Sequence, residues 1–190
     1  MELTHMSSFF TNAHAWCAGR VPYGRALLLA YFLYIGVRHI ASASYNSLFK
    51  MLNLGIHELG HFVFAFFGEF LQIAGGTILQ CLVPIISMFM FYRQRDFFAI
   101  AIAFGWLSTN LFDAATYMAD ARDMMLPLVS PFGGEDIVHD WNYLLSALGL
   151  LEWDTRLAFL VRVAAVVSML ICLIFGGWLI GNMVKVKEEQ

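Results

Sequence analysis

The stretch from Leu157 to Ile180 is an apolar run broken by a single charge, Arg162, and it exceeds the about 20 residues a helix needs to cross a bilayer. A chain carrying such a run must bury it in a large core or place it in lipid. With 190 residues, 60% of them hydrophobic and only 13% charged, there is too little polar surface to cover the run in water. In lipid, backbone polar groups must be satisfied within the segment, so helices are the expected element. The sequence therefore predicts an all-α, polytopic membrane protein forming a single integral membrane domain over residues 1–190.

Four further apolar stretches give about five spans in total: 26–37 between Arg25 and Arg38, 48–67, 78–92 with a kink expected at Pro84, 97–118, and the run just described. Residues 1–20 lack the basic-then-apolar order of a secretory signal and read as an interfacial lead-in, with His5 and His14 solvated. The polar stretch 41–47 reads as a connection. Glu69 to Thr77, with Gln72, Gly75 and Gly76, is too polar and glycine-rich for a lipid-facing helix and reads as a turn or short extended piece. Residues 119–156 form the one long extramembrane or re-entrant segment. Turns are expected there at Pro127, Pro131 and Gly133–Gly134, and an amphipathic piece over 141–151.

Five crossings put the termini on opposite faces, and the distribution of Lys and Arg then makes the C-terminus cytoplasmic. The net charge of −3 and the absence of a basic stripe exclude nucleic-acid binding. Cys17, Cys81 and Cys172 are widely separated and suggest no disulfide framework. Oligomeric state is not encoded in any of these features.

The chemistry concentrates in the second span, at His57-Glu58-Leu59-Gly60-His61. On a helix the two imidazoles lie one turn apart on one face, with Glu58 beside them. Two such nitrogens and one more protein ligand hold Zn2+ with a position left open, and an adjacent carboxylate can move the proton of an activated water. Ionisable groups in an apolar span mark functional sites, either a metal centre or an ion path. Four residues compete to be the third ligand. Asp113 matches the HELGH in depth when residues are counted inward along each span. Asp120 lies nearer the membrane edge, and His139 or Asp140 reaches the site if its segment folds back. Gln72 and the Gly75–Gly76 pair are placed to hold an unwound substrate strand.

These features resemble the site-2 protease family of intramembrane zinc metallopeptidases, with His57 and His61 matching its zinc ligands and Glu58 its catalytic glutamate. Asn110-Leu-Phe-Asp113 partly echoes the family motif whose aspartate is the third ligand. The chain is also similar to small bacterial membrane proteins of that type through Ala119–Arg122, Leu126–Leu128 and His139–Trp141, over residues 50–152. The resemblance implies a zinc endopeptidase of a bacterial inner membrane that cuts a membrane protein substrate, with Asp120, His139 and Asp140 near its centre. A transporter using the His/Asp cluster and an inactive, peptidase-like binding protein are the other functions compatible with the residues.

Overall fold

A computed structural model describes residues 2–127 and 138–188, with side chains over 8–127 and 138–185. Among the described residues every regular element is helical: α1 (Glu2–Trp16), α2 (Tyr23–Ala41), α3 (Phe49–Val63), α4 (Glu69–Gln94), α5 (Phe97–Ala119), α6 (Asp140–Ala147) and α7 (Asp154–Glu188), with 3-10 turns at Ala65–Phe67 and Leu151–Trp153. The turns expected at Pro131 and Gly133–Gly134, Leu128 of the Leu-Pro-Leu string, and the side chain of His5 lie outside the described residues.

Among the described residues three helices are long and apolar enough to cross a membrane: α4, α5 and the stretch Leu151–Lys185, which holds most of α7. This is a membrane-associated helical bundle with fewer such spans than the five expected from apolar runs. The two shortfalls have different causes. Helix α2 has 19 residues but holds Arg25, Arg38 and His39. Helix α3 has 15 residues, about 22 Å of helix against a hydrocarbon layer of about 30 Å.

The bundle has two ends. At one lie α1, the start of α2, the α4–α5 junction and the last turns of α7: Phe9 packs on Tyr92, Phe97 and Phe175, and the Cys17 thiol donates to the Leu179 carbonyl. At the other, α6 packs between the end of α5 and the start of α7 around Met118, Ala121, Leu145 and Ala158. Thus α1 and the C-terminal turns of α7 share an end, in contrast to the opposite placement expected from five crossings. The N-terminal segment is a helix docked on the bundle through buried Ala13 and Cys17, and His14 is exposed as expected.

Helices α5 and α7 form the centre. Their contact is stitched by Ser108 Oγ donating to the Ala165 carbonyl and Ser168 Oγ to the Phe104 carbonyl, both at 2.7 Å, which satisfies the hydroxyls without water. Gly105 admits the Phe32 ring of α2, since a Cβ there would meet that ring at 2.6 Å. Helix α5 starts cleanly because the Asp96 carboxylate accepts from the Ala99 N–H at 3.1 Å.

Helix α3 occupies half the height of this bundle. Its first residue, Phe49, packs on Phe32 at 5.5 Å between ring centroids, near the middle of α2, and Asn53 bonds Trp106 and Thr109 near the middle of α5. From there it rises to the α6 end, turns through Ala65–Phe67 and Gly68 (φ 89°), and hands over to α4. The stretch 69–77 is the helical start of α4, not a turn. Its glycines serve contact between helices: a Cβ on Gly60 would sit 2.8 Å from the Gly76 Cα, and one on Gly75 would sit 2.7 Å from the Gly60 carbonyl oxygen. Helix α4 runs through Pro84 to Gln94 as one element.

Candidate metal centre

His57 and His61 leave α3 one turn apart, with ring centroids 4.9 Å from each other. Both Nδ1 atoms are committed to α4. His57 Nδ1 lies 3.0 Å from Gln80 Oε1, and His61 Nδ1 lies 2.9 Å from the carbonyl oxygen of Gln72. A backbone carbonyl only accepts, so His61 Nδ1 carries a hydrogen; Gln80 Oε1 imposes the same tautomer on His57. Their Nε2 atoms therefore face outward. Both point at one oxygen, Asp140 Oδ2, at 2.8 Å from His57 and 3.4 Å from His61.

Asp140 reaches this place through a folded return of the chain. Asp120, which caps the end of α5, accepts from the N–H groups of Met125 and Leu126 and from His139 Nε2, at 3.0, 2.9 and 3.4 Å. Arg122 Nε donates to buried Asp154 at 2.8 Å and so ties the same turn to the start of α7. His139 caps α6, its Nδ1 accepting from the Asn142 N–H, while Asn142 Nδ2 donates to the Ala121 carbonyl. Asp140 N–H then donates to the Tyr117 hydroxyl at 3.1 Å. Burial alone would raise the Asp140 carboxyl, but the two imidazoles, which donate to it from Nε2 when they are protonated, outweigh that and hold it below the usual carboxylate range.

Among the described residues, His57, His61 and Asp140 form the group whose ligand atoms lie within 4.8 Å of one another. The other candidates stand elsewhere. Asp113 sits beside Asn53 Nδ2 at 2.8 Å and Lys50 Nζ at 3.6 Å, on the neighbouring rung of α3. Asp120 folds its turn, and both nitrogens of His139 are engaged, one in capping α6 and the other on Asp120. Glu58 is half-buried and close enough to His61 and Tyr117 to act on both electrostatically. Gln72 contributes its carbonyl to His61, and Gly75–Gly76 are buried against α3, so neither forms an exposed strand edge.

Gln80 and Tyr117 complete this centre beyond the residues singled out in the sequence, and Gly76 serves it otherwise than by holding a substrate strand. Gln80 was visible as an uncharged polar residue within an apolar span, a costly placement without a partner. Tyr117 sits one turn beyond Asp113 on α5 and supplies the oxygen that receives the Asp140 N–H. Gly76 leaves the space beside the two Nε2 atoms open: a Cβ there would meet His57 Nε2 at 2.6 Å and His61 Cε1 at 2.8 Å.

The donor set fits a metal ion. With both Nδ1 atoms holding hydrogens, each neutral Nε2 presents a lone pair to a carboxylate oxygen, and three acceptors converge on one space. Only protons or a cation reconcile them. The 2.8 and 3.4 Å separations bracket the about 3.3 Å between ligand atoms in a tetrahedral zinc site. Comparison with protein-family models, curated proteins and solved structures finds no match to this chain. Fold and cluster together define a helical, membrane-associated protein with a His/His/Asp site suited to a metal.

Proposed function

We propose that the protein is a zinc-dependent peptidase that hydrolyses a peptide bond of a membrane protein substrate in or next to the bilayer. The observation that carries this reading is the convergence of two oriented imidazoles and one carboxylate beside Glu58. His57, His61 and Asp140 hold the ion. Zinc, when bound, polarises a peptide carbonyl and acidifies water. Glu58 takes a proton from the attacking water and returns it to the departing amine. Gln80 and the Gln72 carbonyl keep the imidazole lone pairs aimed inward, and Tyr117 holds Asp140 in place.

The HELGH and the Ala119–Arg122 and His139–Trp141 strings, resembling site-2 protease-like bacterial proteins, support the same reading and an inner-membrane location. Helix α2 acts as a fourth crossing, since it runs between the two ends of the bundle beside α5 and α7. Basic residues favour a cytoplasmic C-terminus: Arg20, Arg25, Arg93, Arg95, Lys185 and Lys187 lie toward the α1 end, and Arg38, Arg122 and Arg156 toward the α6 end.

The test is metal content with cleavage. The purified protein holds about one zinc per chain, and Glu58→Ala keeps the metal while cleavage of a membrane-anchored reporter falls by a factor on the order of 100 or more. Purified protein without a transition metal, or Glu58→Ala with undiminished cleavage, sinks the proposal.

A further inference from the structure

Between α2 and α3 the chain does something a simple crossing would not require. Helix α2 ends at the α6 end of the bundle, where the Ala43 carbonyl accepts from Thr116 Oγ1. The chain then travels back down α2: Tyr45 packs on His39 and Tyr34, and Phe49 on Phe32. Helix α3 starts at this mid-height and climbs to the end it came from. Exposed Leu48, Met51 and Leu52 turn an apolar face outward there, as a segment submerged in hydrocarbon does.

The descending limb is different. It is non-helical over 42–48, and Ser44 and Asn46 are exposed. At its foot, Lys50, its side chain 42% exposed, reaches Asp113 at 3.6 Å, and Asp113 bonds Asn53. Irregular polar backbone at membrane depth persists only where protein covers it or water wets it, and an exposed ammonium at mid-height carries the same requirement. Ser44 and Asn46 are exposed, and Lys50 is only partly covered by protein.

We propose that residues 42–63 enter and leave the membrane on one face, and that the 42–48 limb lines a water-filled vestibule that opens on the α6 face and ends at Lys50, Asp113 and Asn53. Asn53 precedes His57 by one helical turn, so this vestibule brings water to the floor of the metal centre from the side opposite α6. The vestibule rests on the membrane-spanning reading; its role as a water supply rests also on the proposed hydrolysis.

Single cysteines at Ser44, Asn46 and Lys50 are treated with a membrane-impermeant maleimide added to one face of sealed vesicles. Ser146→Cys on α6 and Gln94→Cys at the other end report the two faces, and Leu170→Cys on α7 reports lipid. The parent chain, whose Cys17 and Cys172 are buried and whose Cys81 is half-buried within α4, is the blank, and its labelling is subtracted. Because the thiolate reacts and needs water, the three positions label from the Ser146→Cys face, within about tenfold of its rate and about 100-fold faster than Leu170→Cys. Labelling from the Gln94→Cys face overturns the re-entrant path, and labelling as slow as Leu170→Cys overturns the vestibule. Zinc content is read on the same preparations. Missing zinc with labelling intact refutes the peptidase reading alone, and the reverse refutes the vestibule alone.

Discussion

At the scale of single residues, the site depends on groups that never touch the ion's position. Gly76 is the most exacting of them. Its missing Cβ is the space in which the imidazole edges lie, so Gly76→Ala forces both rings to shift inside a packed helix pair. The variant is expected to lose about 1–3 kcal/mol of stability and most of its metal, read by thermal unfolding in detergent and by metal analysis. Gln80→Leu keeps volume and removes the acceptor for His57 Nδ1. Metal affinity is then expected to fall about 10–100-fold with little change in unfolding temperature, measured by chelator competition. Unchanged affinity would show that Gln80 does not orient the ring. The i, i+4 spacing of His57 and His61 is legible in sequence because covalent geometry sets it. Gln80 and Gly76 matter only through a neighbouring helix, whose register a linear string does not display.

At the scale of elements, the half-height start of α3 explains why depth counting misleads. Counting inward treats 48–67 as a full span, which puts the HELGH level with Asp113. Since α3 begins near mid-height, Asp113 instead meets Asn53, one turn before His57, and the level of His57 is that of Tyr117 and of α6. Asp140 arrives by a return of the chain whose caps and ties lie at Asp120, Arg122 and His139, and no periodicity foretells such a return. The long apolar runs of α4, α5 and α7 are legible since composition alone requires them. Two variants separate the roles. Asp140→Ala is expected to lose bound metal with the fold kept. Asp113→Ala is expected to keep metal but lower the unfolding temperature, because it removes the carboxylate that Asn53 Nδ2 and Lys50 share, at a cost of about 1–3 kcal/mol. Metal lost from Asp113→Ala at full stability would return Asp113 to the ligand set.

At the scale of the whole molecule, the packing of α1 and the last turns of α7 at one end changes the expected topology. On the proposed reading, in which α2 crosses beside the three long apolar helices α4, α5 and α7 and α3 returns to its own face, the number of crossings is even and both termini are expected on the same side. The basic residues then sort with less ambiguity than five crossings allow, because Arg20 and Arg25 join Arg93, Arg95, Lys185 and Lys187, while most acids of 119–156 stay at the α6 end. Epitope tags at the N- and C-termini are expected to be digested together by protease added to the cytoplasmic face of inverted vesicles. A tag inserted after Gly149, an exposed turn with φ 67°, is expected to survive until detergent is added. Tags at the two termini that digest from opposite faces would mean that α3 crosses completely, and its 15 residues would then need a locally thinned bilayer. If the termini agree and the Gly149 tag digests with them, α7, which separates Gly149 from the C-terminus, does not cross the membrane, and the four-crossing reading fails with it.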